Sequence, residues 1–407
     1  MSFTCELQRL RQHKAELNVE SLDFTPPECL VSPMPSGCVD DEFWMRKALS
    51  LARKGVGRVS PNPAVGAVLV LRGKEIGSGW HRVAGGPHAE VEAISDAMRR
   101  GKNTRGSTLY VTLEPCSTHG RTPPCTKAIL DAGIKRVVVA ATDPNPKHAG
   151  RGLDLLRAHG IRVEQGICSD RAESLNEAFT HWIVHRTPLV TLKAAMTLDG
   201  KIATAAGESK WITGPEAGRE AMKLRWQSDA IIAGINTVLA DDPSLTCRSS
   251  RSGDKIRKRI RRIVLDSKAR TPLNARVVSD EHRVDTIIVV GRGASTRRIA
   301  RLEKRVSVWR APMRGDRISL KWLLNRLGKL DITHLLVEGG GEVNGAFVDQ
   351  GLAHRVAFFY APLVLGGRES KPGVAGAGAT QLAGLKNLTD VEWRKVGADL
   401  MLTARIG

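Results

Sequence analysis

The sequence predicts an α/β protein built in two successive parts, and three observations carry that reading. Short apolar runs of strand length, such as AVGAVLV, STLYVTL, KRVVVAA, RRIVLDS and TIIVVG, alternate with longer amphipathic stretches, as strands interleaved with helices do. The 407 residues exceed what one ordinary core holds. A helical run, ESLNEAFTHWIVHR (Glu173–Arg186), is stopped by Thr187-Pro188 and followed by the strand-like LVTLKAAMTLDGKIA. The boundary is therefore placed there, giving an extension over 1–39, a first part over 40–186 and a second over 187–407.

The extension holds one possible short helix, LQRLRQHKAEL, and then TPPECLVSPMPSG, whose Pro, Ser and Gly mark a loop or disordered linker. Asp40 or Asp41 is placed to cap the helix EFWMRKALSLA. SPNPAVG is a proline-stiffened turn into a buried strand, and Gly73 turns the chain into the strand EIGSGW. Val91, Ile94 and Met98 recur at helical spacing, so His88 and Glu90 fall at a helix N-terminus. STLYVTL delivers Cys116 at its carboxyl end, and TPPCTKAILDAG opens a helix with prolines near its first turn. In the second part a helix starts near Pro215, LKWLLNRLG is another, and THLLVEGGGEVNGAFV reads as strand, glycine loop and helix. VAFFYAPLVLGG is a strand with a proline turn.

Composition narrows the partners. The charge sum is 62 − 42 = +20, which favours anionic ligands: a phosphorylated substrate, NADP(H) or nucleic acid. RSGDKIRKRIRR (Arg251–Arg262) concentrates seven basic residues against one acidic, most simply as a solvated loop entering a strand. Seven cysteines at irregular spacings do not form a secreted disulfide framework. No apolar run approaches membrane-spanning length. The first residues lack the apolar core of a signal peptide, and their acidic residues argue against a transit peptide. A cytoplasmic enzyme is expected.

The chemistry concentrates between His88 and Cys125. PHAEVEAI opens that stretch and TLEPCSTHGRTPPC closes it. His88, Cys116 and Cys125 supply one nitrogen and two thiolates, a donor set suited to zinc with a fourth position left open. Glu90, two residues from His88, is close enough to act as proton shuttle without being a ligand. This is the H-x-E…P-C…C order of zinc-dependent base deaminases. A lone His-Ala-Glu or a lone Cys is weak evidence; their order and setting are what carry the reading. The two cysteines stand nine positions apart rather than three, so the intervening residues must bulge out beside the site.

PNPAVG, PHAE, TLEPCSTHGRTPPC, DPNP (Asp143–Pro146) and HAGRG together resemble the bifunctional riboflavin-biosynthesis deaminase/reductase family, from about Asp41 to the C-terminus. The resemblance implies an N-terminal cytidine-deaminase-like three-layer domain and a C-terminal dihydrofolate-reductase-like domain. It implies hydrolytic deamination of 2,5-diamino-6-(5-phosphoribosylamino)pyrimidin-4-one, then reduction of the ribosyl group to ribityl. By motif match Asn62, His81, Arg121, Asp143 and Asn145 would contact the deaminase substrate. At Thr118 the family pattern usually has His, so the chain departs there.

The second site is read from VEGGGEVNG (Val337–Gly345), where glycines at a helix N-terminus let a phosphate approach backbone N–H groups. The spacing is not G-x-G-x-x-G, so no Rossmann fingerprint is present. LKAAMTLDGKIA, SKWIT, TVLADDPSLTCR and LDS also resemble the family's reductase half. That resemblance places Ser209, Arg225, Leu245, Arg248 and Glu338 at the substrate. It places Ala195, Trp211, Thr213, Thr237, Asp241, Ser267 and the run Gly340, Gly341, Glu342, Val343, Asn344, Gly345 and Ala346 at NADPH. Lys193 and Asp199 are the candidate catalytic residues of this half, and one zinc ion per chain is expected in the other. We expect a phosphorylated pyrimidine as substrate, a homo-oligomer, and neither nucleic acid nor membrane as partner. The rivals are a tRNA base deaminase with an accessory domain, against which the long Cys116–Cys125 loop argues, and a zinc-stabilised binding module, against which an intact Glu90 argues.

Overall fold

The computed structural model describes residues 38–118, 123–146, 148–209, 212–247 and 258–407. Residues 1–37, with the short helix and linker expected there, and the candidate site residues Arg121, Trp211 and Arg248 lie outside the described residues.

The first part is organised by a five-stranded sheet of β1 (Gly66–Leu71), β2 (Lys74–Trp80), β3 (Thr108–Leu113), β4 (Arg136–Ala141) and β5 (Arg162–Gln165). Its order is β2-β1-β3-β4-β5. β1 runs antiparallel to β2 and β3, whereas β3, β4 and β5 are parallel. Each of β1, β3 and β4 carries five consecutive buried residues, so both faces of the sheet are covered. The helix Ala89–Arg99, which carries the site, seats directly on β2. A Cβ on Gly77 would come within 2.4 Å of the Ala93 carbonyl oxygen, so only glycine allows this approach.

Two local expectations need correction. The first helix, Cys38–Ala52, already contains Asp40 and Asp41, so neither is its cap. The Asp41 carboxylate instead accepts from Arg136 at 2.8 and 2.6 Å and from the Tyr110 hydroxyl at 2.6 Å. Arg136 holds its carboxyl below the usual range. The run Glu173–Arg186 is two helices, Ser169–Leu175 and Glu177–His185. Asn176 separates them because its side chain exchanges two hydrogen bonds with the Ala64 backbone.

The second part is a nine-stranded sheet. Its strands are β6 (Leu189–Thr197), β8 (Ala230–Gly234), β9 (Arg261–Leu265), β10 (Thr286–Gly291), β11 (Ser307–Ala311), β14 (His334–Val337), β15 (Arg355–Ala361), β17 (Leu388–Val396) and β18 (Asp399–Ile406). The order is β11-β10-β9-β8-β14-β6-β15-β18-β17, with two small pairs, β7 (Lys201–Ala203) with β16 (Lys371–Pro372), and β12 (Met313–Arg314) with β13 (Arg317–Ile318). The first seven strands of that order run parallel, and the β17–β18 hairpin closes the edge antiparallel to β15. The sequence reading assigns neither β11 nor this hairpin. Eight of the nine β17 residues are exposed, so β17 gives no buried-run signal.

Asp41–Gly407 forms one compact unit, and specific bonds join the segments before and after residue 187. Ser60 donates to Asp229 at 2.8 Å, the Trp226 indole to the Val56 carbonyl at 3.0 Å, and the Trp182 indole to the Gly328 carbonyl at 2.9 Å. Arg355 pairs with Glu177 at 2.6 Å. Among the described residues, no helix is long and apolar enough to cross a membrane.

Candidate active sites

The first site forms where two helix starts meet the carboxyl end of β3. His88 is the extended residue before the helix Ala89–Arg99. Cys125 opens the helix Cys125–Asp131 after Pro124, and Cys116 lies three residues beyond β3. Their ligand atoms lie within 4.8 Å of one another. His88 Nδ1 is 3.1 Å from Cys125 Sγ and 3.6 Å from Cys116 Sγ. The Cys125 backbone N–H donates to Cys116 Sγ at 3.4 Å, a bond that favours the thiolate. Cys125 also hydrogen-bonds Cys116 through its thiol and holds Cys116 down at about 4, while that bond and burial push Cys125 up. A compact His/Cys/Cys set with thiolate character fits zinc.

Glu90 sits in the first turn of the same helix and is buried. Burial raises its carboxyl above the ordinary range, as suits a group that must both hold and release a proton. The sequence-predicted Asn62 and His81 are also here. His81 Nδ1 lies 2.9 Å from the Pro87 carbonyl, which only accepts, so Nδ1 carries the proton. Nε2 then accepts from the Asn62 amide at 3.0 Å. The His81 ring meets His88 edge-on at 5.3 Å. Burial keeps His81 below its ordinary pKa. Asp143 accepts from the Asn145 backbone at 2.9 Å, and burial raises its carboxyl. Thr118 is exposed. Glu114, to which the sequence reading assigns no role, is buried just before Cys116. Spacing gave no signal for it, because its partners are backbone N–H groups far along the chain.

The second site gathers on the parallel sheet. The register pairs Val337 with Leu192, so Glu338 emerges beside Lys193. Glu338 Oε2 stands 3.8 Å from the Lys193 ammonium. Arg225 grips the same carboxylate with two bonds, at 2.6 and 3.0 Å, and donates a third to the Thr246 carbonyl at 2.8 Å. Burial alone would raise the Glu338 carboxyl, but Arg225 and Lys193 hold it down at about 2. Ser209 donates to Asp241 at 2.7 Å, and both line an open cavity of about 800 Å³ with Thr197 and Leu365. Asp199 stands in the turn after β6. The backbone N–H groups of Leu365 and Gly366, at 3.0 and 2.8 Å, and the Thr197 hydroxyl hold its carboxyl down at about 2.

The glycine loop divides by direction. Gly340 caps the helix Gly341–Asp349 and is open toward Thr237, whose hydroxyl would lie 3.7 Å from an added Cβ. Gly341 and Gly345 face protein: a Cβ would meet the Pro372 carbonyl at 2.2 Å and the Ala375 carbonyl at 1.7 Å. Asn344 is buried and donates to the Gly373 carbonyl at 2.8 Å. Val343 packs against Gly234 and Gly339, and Glu342 pairs with Arg317 on the surface. Ala346 is half-buried against the sheet. Leu245 is buried at positive φ. Ala195, Thr213 and Ser267 are half-buried.

Comparison with known proteins fits this geometry. The family model of the cytidine and deoxycytidylate deaminase zinc-binding region matches residues 39–141. The family model of the RibD C-terminal domain matches residues 188–402, more than half of the chain. Riboflavin biosynthesis protein RibD of Aquifex aeolicus (strain VF5) is 45% identical over 326 residues, covering 80% of this chain and 88% of that one. The RibD of Escherichia coli (strain K12) is 38% identical over 377 residues, covering 89% and 99%.

The chain belongs to the RibD family. Solved structures agree: Acinetobacter baumannii RibD superposes with a TM-score of 0.80 at 36% identity, covering 91% of this chain and 99% of that one. The Thermotoga maritima diaminohydroxyphosphoribosylaminopyrimidine deaminase/5-amino-6-(5-phosphoribosylamino)uracil reductase gives 0.76 at 34% identity, covering 91% and 99%. As in the RibD family, a cytidine-deaminase-like domain precedes a RibD reductase domain in one bifunctional enzyme of riboflavin biosynthesis.

Proposed function

We propose that the chain carries out two successive steps on one phosphorylated pyrimidine. In the first, residues 40–186 hydrolyse the ring amino group of 2,5-diamino-6-(5-phosphoribosylamino)pyrimidin-4-one. Water adds to the amino-bearing ring carbon, the C–N bond breaks, and ammonia leaves. His88, Cys116 and Cys125 would hold one zinc ion, which would supply the Lewis acidity that makes water a nucleophile near neutral pH. Glu90 takes the proton from the attacking water and returns it to the departing amine. His81, in the tautomer that Pro87 and Asn62 impose, lines the pocket with Asn62, and Asp143 and Asn145 approach from the loop after β4.

In the second step, residues 187–407 reduce the ribosyl group to ribityl, with NADPH supplying the hydride. Thr237, in the helix after β8, and Glu338 and Gly340, just after β14, follow the carboxyl ends of parallel strands, where dinucleotides bind, and the open side of Gly340 supports that placement. Lys193, oriented by Glu338, stabilises charge at the sugar as the hydride arrives. Ser209, Arg225, Leu245 and Arg248 are assigned to substrate, and Asp199 is the second candidate catalytic residue of this half. The protein acts in the cytoplasm as a homo-oligomer, and no nucleic acid is its substrate.

The observation that carries this reading is the convergence of His88, Cys116, Cys125 and buried Glu90 in a chain whose 188–402 matches the RibD C-terminal domain. The same match disfavours the tRNA-deaminase reading. Purified zinc-loaded protein should release ammonia from the diaminopyrimidine phosphate without NADPH, and should oxidise NADPH only with the deaminated product. Absence of ammonia release would remove the first step; NADPH oxidation indifferent to that product would remove the second.

A further inference from the structure

Glu114 directly follows β3, two residues before Cys116. Its carboxylate is buried and accepts three backbone N–H groups, one from the turn after β4 and two from the start of the helix Arg151–Ala158. Oε2 takes Asp143 at 3.1 Å and Gly150 at 2.9 Å, and Oε1 takes Gly152 at 2.9 Å. The helix start is also pressed onto the same strand end. A Cβ on Gly152 would stand 2.2 Å from the Pro115 carbonyl oxygen, so the backbone there touches the residue joining Glu114 to Cys116. The end of β4 is set by the strands: Glu114 N–H donates to the Ala141 carbonyl at 2.9 Å. A buried carboxylate that collects three N–H donors is a strong clamp, because charged acceptors make the stronger hydrogen bonds.

We infer that Glu114 is a positioning residue for deamination: it fixes Asp143, and with it Asn145, together with the start of the helix Arg151–Ala158, against the strand end that presents Cys116. This rests on the deaminase reading of the first site. The clamp ties the turn, the helix start and the ligand-bearing segment together, so Asp143 and Asn145 keep their distance from the metal ligands. Glu114 touches neither substrate nor metal in this role. A glutamine in its place has the same shape but offers an N–H where a backbone N–H now donates, so at least one bond turns into a donor–donor clash.

The test uses the full zinc-loaded chain, whose reductase half is an internal control for folding. Glu114→Gln and, separately, Gly152→Ala are assayed for zinc content, ammonia release and NADPH oxidation with the deaminated product. Both variants should raise the KM for the diaminopyrimidine phosphate by roughly tenfold or more. Their fall in kcat should be smaller, and zinc content and reductase rate should match the parent. Glu114→Asp, which keeps the charge on a shorter stem, should recover part of the KM. A KM unchanged in both variants, or zinc and both activities lost in parallel, would overturn the inference. A parent that retains zinc but releases no ammonia fails the deaminase reading itself, before any variant is compared.

Discussion

At the residue scale, two buried carboxylates have different duties, set by their neighbours. Glu90 stands beside His88, but burial raises its pKa. Glu90→Gln should retain zinc and lower ammonia release by roughly a hundredfold or more, measured with reductase rate as control; a variant that still deaminates at the parental rate would rule out the shuttle. Glu338 is held ionised by Arg225 and Lys193. Glu338→Gln leaves the Arg225 guanidinium, itself only 12% exposed, without its counter-charge. Breaking such a pair from one side costs about 3 kcal/mol or more, so a denaturant titration should show that loss along with a depressed NADPH oxidation rate. Equal stability would mean that water or Thr246 alone satisfies Arg225. The His88/Cys116/Cys125 cluster and Glu90 were legible as motifs, because His88 and Glu90 stand two apart at one helix start and Cys116 and Cys125 nine apart between a strand end and a second helix start. The Arg225–Glu338 pair was not, because 113 positions separate the partners; only the strand register brings them together.

At the element scale, the glycine loop shows where sequence reasoning mixes two causes. Glycines in a row before a helix suggest phosphate binding, yet glycine also permits close packing. Within six residues the surroundings differ accordingly. Gly340 is open toward Thr237, whereas Gly341 and Gly345 press the helix Gly341–Asp349 onto the 372–376 segment. Nothing in the sequence marks which glycine does which, because the partner segment follows some thirty residues later. Gly345→Ala should therefore act through packing. The Cβ meets a backbone carbonyl that cannot rotate away, and overpacking of this kind costs about 1–3 kcal/mol. Thermal unfolding should show that loss, with a higher KM for NADPH because the same helix presents Gly340. An unaffected Tm would mean that the 372–376 segment yields easily. Most strands that the sequence revealed carry runs of buried residues; exposed β17 and short β11 were missed for the same physical reason, the absence of a continuous apolar run.

At the scale of the whole molecule, the seam around residue 187 holds a feature that no motif signals: three histidines from segments far apart. His181 and His185 stand on the helix Glu177–His185, and His354 precedes β15. The His181 ring lies 4.2 Å from that of His354 and 4.7 Å from that of His185. His354 Nδ1 accepts from the Val190 N–H at 2.9 Å, so a proton there would break a bond that anchors β6. Burial, then His354 and His185, hold His181 down at about 4, against 6.5 for a free histidine. Burial and His185 lower His354 in the same direction. Above pH 6.5 folded and unfolded chains both carry neutral His181. Between 6.5 and 4 the unfolded chain binds a proton that the folded chain refuses, so stability falls as pH falls; below 4 both are protonated and the loss is complete. One such group contributes at most about 1.4 kcal/mol per pH unit, and less here because the ring is partly exposed. Denaturant titrations of the parent and of His181→Gln between pH 7 and pH 4 isolate the effect from the carboxylates, which both proteins share. The parent should lose more stability over that window than the variant. Parallel curves would show that the three rings share their protons without cost, and that the seam is held by Glu177–Arg355 and Ser60–Asp229 instead.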